Sequence, residues 1–116
     1  MGVGLKIQLE EIEHRVILRL DGRIDAATTP ILERKVQMLI DENHTHLLLD
    51  FSQVDYLSSA GMRLLLSAAK KLKAKKGHFI LFSLGDEVSE IIKMAGFDKI
   101  LHICLNEKEA LQFHPS

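Results

Sequence analysis

Apolar positions along this chain switch between two periods. "LKIQLEE" and "HRVILRL" alternate or run apolar over strand-like lengths with only a few residues between them, which predicts a hairpin. "DGRIDAATTP" breaks the pattern, with Gly22 and Pro30 as punctuation. Pro30 suits the first turn of a helix, where its missing N–H costs nothing. Asp25, Thr28 and Thr29 are each able to cap that helix. Leu32, Val36, Leu39 and Ile40 then fall at i, i+4, i+7 and i+8, one apolar stripe.

"HLLLDF" reads as the next strand and runs into "DYLSSAGMR", residues 55–63. The following helix is expected to place Met62, Leu65, Leu66, Ala69 and Leu72 on one face and to stop at Gly77 as a C-terminal cap. "HFILFS" is a further buried strand. "DEVSEIIKMAG" predicts a helix with Val88, Ile91, Ile92 and Ala95 inward and Gly96 at its end. "KILHICL" is the last strand, and Asn106 with Glu109 three residues on is close to a capping box for a final helix. The order β-β-α-β-α-β-α-β-α predicts an α/β fold. It is a mixed, mostly parallel five-stranded sheet with about four helices, the opening hairpin supplying the antiparallel strand.

Length and composition narrow the function classes. The 116 residues are expected to form one domain, 1–116, able to bury roughly 60–70% of the surface exposed when unfolded. With 47% hydrophobic and 27% charged residues and a net charge of −1, no global attraction to nucleic acid or an anionic membrane arises. The single cysteine, Cys104, excludes an internal disulfide or cysteine-rich zinc site and reads as a small apolar filler. "MGVGLKIQLEE" lacks the features of a signal peptide. No apolar run approaches the ~20 residues needed to span a bilayer. A cytoplasmic protein with no membrane span is therefore expected.

Two adjacent serines, an alanine and a glycine stand where a strand hands over to a helix. In open α/β sheets functional groups gather at the carboxyl ends of strands. One of Ser58 and Ser59 is expected to be the N-cap. A phosphate on a hydroxyl there would be favoured by free N–H groups and the helix dipole. A serine-hydrolase nucleophile elbow is excluded, because it needs glycine where Leu57 stands. His14 and His102 are not obvious bases for a triad. A phospho-acceptor receiver domain would use Asp50 at a strand end but needs more acidic residues than Asp21 alone beside it; hydrogen bonding of Asp50 to loop amides is the simpler reading. The five lysines of "KKLKAKKG" read as a solvated helix face, and the pair His44 and His46 lacks a third metal ligand nearby. No glycine-rich phosphate loop occurs, so no cofactor is expected.

"GRIDAATTP", "LLLDFSQVDYLSSAGMRLLL" and "MAGFDKIL" resemble the STAS-domain family of bacterial anti-sigma factor antagonists, in the same order over nearly the whole chain. The resemblance implies a non-enzymatic module that works by partner switching. Its unphosphorylated form binds an anti-sigma factor serine kinase, which itself holds the ATP; phosphorylation ends binding, and a serine phosphatase restores it. The family's phosphoserine lies two residues before the glycine, which matches Ser59 and Gly61 here. Well-studied members carry aspartate where this chain has Ser58, so Ser58 is the second candidate acceptor. The docking surface implied combines Asp25, Ser58, Gly61, Met62 and Arg63, with Gly61 keeping the approach open, Met62 offering apolar contact and Arg63 an ion pair. For Asp25 a plain helix cap is an equal reading. The alternative role is a constitutive STAS docking subunit of a transport or signalling complex, without phosphorylation.

Overall fold

The structure, a computed structural model, describes residues 4–113. Residues 1–3 and 114–116, the ends of the expected 1–116 domain, lie outside the described residues. β1 (Leu5–Ile12) and β2 (Arg15–Ile24) form the antiparallel hairpin, with Glu13 at positive φ in its turn. Then follow α1 (Thr29–Asp41), β3 (His46–Leu57), α2 (Ser59–Ala74), β4 (His78–Phe82), α3 (Asp86–Met94), β5 (His102–Cys104) and α4 (Glu107–Gln112). The sheet order is β1-β2-β3-β4-β5, parallel from β2 onward. This is the α/β class, strand number and mixed sheet that the sequence pattern predicts.

Each parallel crossover steps to the neighbouring strand in the same direction. Right-handed crossovers must then lay α1, α2 and α3 on one face of the sheet. The main core forms there, from Leu18, Leu49 and Phe51 of the sheet against Leu32, Leu65 and Ile92 of the helices. The alternate strand residues Ile17, Leu48, Ile80, Phe82 and Cys104 point to the opposite face, where Ala110 of α4 packs on them. Burial on both faces explains why the central strands read as nearly continuous apolar runs.

Several elements differ from the expectation. Gly22 does not end β2; it sits inside the strand at φ 130° between two register shifts, against the carbonyl of Gly4, where a Cβ would collide. β3 runs beyond "HLLLDF" to Leu57, so Asp50 lies within the strand rather than at its end. Its carboxylate faces the α4 side, bound to Arg19 at 2.9 Å and to the Ser52 N–H, away from α2. The same guanidinium also holds Glu10 and Glu107, which tie the hairpin and α4 to the sheet.

The buried face of α2 is turned relative to the expected stripe: Leu64 and Ala68 are buried while Leu66 and Ala69 are half-buried. Its C-terminus is a Schellman turn with Lys76, not Gly77, in the left-handed position; the Gly77 and Lys76 N–H groups donate to the carbonyls of Leu72 and Lys73. Gly77 is required for another reason, since a Cβ there would strike the backbone of Thr45. In α3, Val88 and Ile92 are buried but Ala95 is exposed, and Gly96 does terminate the helix at φ 80°. "KILHICL" contributes only His102–Cys104 to the sheet: residues 97–99 form a 3-10 turn, and Ile100 and Leu105 are 62% and 77% exposed.

Candidate functional site

Parallel pairing of β2 with β3 creates the site. Ile24 and Leu57 are the last paired residues, and the Ile24 carbonyl accepts from the Ser58 N–H at 2.8 Å. The segments that leave these two strands, 25–28 and 58–63, therefore emerge side by side at the carboxyl edge of the sheet.

The first segment is a closed hydrogen-bonded turn. Asp25 Oδ1 accepts from the N–H groups of Ala27 and Thr28, both at 3.0 Å. Thr28 Oγ1 accepts from the Asp25 N–H and donates to the Arg23 carbonyl, while Thr29 Oγ1 donates to the Asp25 carbonyl. Both threonines are buried. By position Thr28 is the N-cap of α1 and Pro30 stands in its first turn, but the Thr28 side chain makes no cap bond. Asp25 does the capping one turn earlier. These N–H bonds, above all that from Thr28, hold the Asp25 carboxyl below its usual range, and Arg23 adds to the effect from 3.7 Å. The turn thus presents a fixed negative charge.

In the second segment the two serines have different work. Ser58 is the N-cap of α2: its backbone is extended and its Oγ accepts from the Gly61 N–H at 3.1 Å. Ser59 is the first helical residue, exposed, and its hydroxyl has no hydrogen bond among the described residues. The first turn of α2 carries no acidic side chain, so its free N–H groups are not neutralised locally.

Gly61 and Met62 do not stand where the expected docking surface needs them. Gly61 is buried on the underside of the helix; a Cβ would lie 2.6 Å from Ile24 Cγ2 and 2.8 Å from Leu57 Cδ1. The glycine serves close packing of α2 on the strand ends, and the small residue facing outward is half-exposed Ala60. Met62 is only 6% exposed and belongs to the core, because the helix rotates it onto the sheet. Arg63 is exposed.

The exposed apolar side chain near this edge is Tyr56, which the sequence reading missed. It is the register partner of Arg23, whose guanidinium stacks over its ring at 4.5 Å. Beyond Tyr56 runs a shallow groove along α3 bordered by Asp86, Glu87 and Glu90 and floored by Ile91 and Met94. Met94 is 81% exposed. Strict alternation would not have found it: past Phe51 the buried positions of β3 are Val54 and Leu57, and the register against β2 shifts twice, so the outward face of Tyr56 depends on these irregularities.

The other candidate chemistry is dispersed. Among the described residues no group of three His, Cys, Asp or Glu side chains is arranged to hold a metal ion, so His44 and His46 gain no third ligand. Lys70, Lys71, Lys73, Lys75 and Lys76 are exposed, and Lys71 donates to Gln37 of α1. Cys104 is buried, and burial pushes its thiol pKa up. No described helix is long and apolar enough to cross a membrane.

Comparison with known proteins places this geometry. The family model described as the STAS domain matches residues 6–110. BtrV of Bordetella bronchiseptica, described as a candidate anti-sigma factor antagonist, is 31% identical over 106 residues, covering 91% of this chain and 90% of BtrV. The crystal structure of an anti-sigma factor antagonist from Mycobacterium paratuberculosis superposes with a TM-score of 0.84 at 25% identity, covering 92% of this chain and 91% of that one. The Bacillus cell fate determinant SpoIIAA in its phosphorylated form shares the fold at a TM-score of 0.71 and 23% identity, covering 91% and 96% of the two chains.

Proposed function

The chain belongs to the STAS domain family, and we propose that within it this protein is an anti-sigma factor antagonist that acts by partner switching, with Ser59 as the switch. The observation that carries the reading is the division of labour between the serines. Ser58 is committed to the helix cap, while Ser59 presents a free, exposed hydroxyl at the start of α2 beside the Asp25 turn. The partner is a serine kinase of the anti-sigma type that binds ATP itself. Docking uses the fixed Asp25 carboxylate, Tyr56 in the place expected of Met62, half-exposed Ala60 and the Arg63 guanidinium. As an ATP-dependent exchange it belongs in the cytoplasm, and the protein contributes no catalysis.

In the switching step the Ser59 oxygen attacks the γ-phosphorus of ATP on the kinase. ADP leaves, and the hydroxyl proton passes to a base of the kinase. Within the free domain the resulting phosphate is tolerated, because it adds roughly 1.5–2 negative charges at a helix N-terminus worth about 0.3–1 kcal/mol of stabilisation. Under a docked partner the same charge must be desolvated at a cost of several kcal/mol. Each ~1.4 kcal/mol is tenfold in affinity. The phosphate therefore spares the fold and breaks the complex, and a phosphatase reverses the change.

The test is to incubate purified protein with soluble extract of its own cells and ATP, then to map phosphate by mass spectrometry with Ser59→Ala as control. Phosphate on Ser59 that is lost in the variant is the expected result. Phosphate on Ser58 would move the switch to the capping serine. No phosphate, while other proteins in the extract are labelled, would overturn the switch in favour of a constitutive docking subunit.

A further inference from the structure

A second site lies on the other face of the sheet, at the amino ends of the strands and so at the opposite end of β3 from Ser59. Alternation and parallel register build it. His46 pairs with His78, and two residues on Leu48 pairs with Ile80, so an imidazole row stands beside an aliphatic row. The two imidazoles stack at 5.3 Å between centroids. Phe113, which follows α4, reaches this end of the sheet, and its ring meets His78 edge-on at 4.9 Å and His102 at 4.5 Å. Glu13 and His14 of the β1–β2 turn, with Arg15 at the start of β2, form the facing wall. Together they enclose a cavity of about 230 Å³, open on one side and lined mainly by apolar surface.

Arg15 gives this cavity its chemistry. Its side chain is only 14% exposed, yet among the described residues its sole charged partner is Glu13, at a long 3.9 Å, and it makes no side-chain hydrogen bond. Guanidinium groups that are largely covered normally fill their fork with a carboxylate or phosphate. Here Arg15 lines the cavity together with the imidazoles of His14, His46 and His78. An apolar cavity of about 150 Å³ holds one benzene ring. The larger volume here therefore takes one ring and a small charged substituent. Glu13, 74% exposed and at a long 3.9 Å, leaves the fork unfilled; one carboxylate fills it, and because the two side chains sum to zero formal charge a dianion finds no further counter-charge.

We propose that this cavity binds a small aromatic monocarboxylate, its ring against Leu48, Ile80 and Phe113 and its carboxylate on the Arg15 fork. The site is independent of the partner-switching reading. Its occupation leaves the Asp25 turn and Ser59 uncovered.

The experiment is a ¹H–¹⁵N NMR titration of the full chain at neutral pH with benzoate and with phenylacetate, using acetate and benzyl alcohol as controls. At least one aromatic carboxylate should give saturable shifts confined to residues 13–15, 46–48, 78–80 and 113, with a Kd below ~1 mM. The Arg15 Nε–H resonance should move with them in the wild-type protein. Arg15→Gln should weaken binding at least ~tenfold while leaving the spectrum otherwise folded. Should that variant unfold, the wild-type Arg15 resonance still decides. Absence of saturation by ~10 mM, shifts that map elsewhere, an unmoved Arg15 resonance, or equal binding of benzyl alcohol would each overturn the assignment.

Discussion

Replacing each serine by alanine separates the capping residue from the switch. Ser58→Ala removes the acceptor of the Gly61 N–H and leaves that donor unpaired on the buried side of α2. Loss of an N-cap of this kind costs about 1 kcal/mol, within a range of roughly 0.5–2. Unfolding entropy is about 2.1 cal/mol/K per residue. For 116 residues that is about 0.24 kcal/mol/K, so Ser58→Ala should lower Tm by about 4 °C. Ser59→Ala removes no hydrogen bond and substitutes a better helix former, so its effect should stay within about 0.5 kcal/mol, or 2 °C. Ser58→Asp keeps a capping oxygen and adds a charge that the helix dipole favours, so it should match or exceed wild type. Thermal scans and urea titrations of the four proteins measure this directly. If Ser59→Ala lost as much stability as Ser58→Ala, or if Ser58→Ala lost none, the division of labour between the serines would be refuted.

Three further outcomes follow from the same geometry. Ser59→Asp should bind the isolated kinase at least ~tenfold more weakly than wild type, while Ser59→Ala binds normally and resists ATP-dependent release; equal titration curves for wild type and Ser59→Asp would remove the electrostatic basis of the switch. Gly61→Ala should cost about 1–3 kcal/mol in a urea titration, because its methyl group overpacks Ile24 and Leu57 beneath the helix; an unchanged midpoint would mean α2 can lift from the strand ends at no cost. His78 is held below its usual pKa, first by burial and then by His46 and His102, with Arg15 also lining its cavity. The folded state then binds fewer protons than the unfolded one. This contribution is fully present above the unfolded value of about 6.5 and is lost as pH falls through it toward the folded value. His78→Gln should flatten the stability profile between pH 7 and pH 5, taken as approximate bounds around that value; an identical slope would assign the pH dependence to other groups.

Much of the fold was legible because burial is periodic. The opening hairpin, the single stripe on α1, Pro30 in its first turn, Gly96 as a stop and the Asn106 cap are local patterns, and each is observed as read. Element ends were less legible. Gly22 sits within β2 because a neighbouring backbone at Gly4 demands a residue without a side chain, which is a contact across the hairpin. "KILHICL" has strand-like composition, but the 3-10 turn after Gly96 uses up its first part. Within the candidate site, Ser58 and Ser59 were legible as a cap and a second hydroxyl, though not which was which.

The sequence by itself determined the class of fold, the order of elements and the presence of paired hydroxyls where a strand passes into a helix, because each depends on residues near one another in the chain. Only the tertiary structure decided that Asp25 stands beside the start of α2, that Gly61 and Met62 face inward while Tyr56 faces out, and that Arg15 meets His46, His78 and Phe113 around one cavity. Those facts depend on the register of β2, β3 and β4 and on the rotation of α2 over the strand ends. Both are set by packing between segments thirty or more residues apart, where local propensity carries no information.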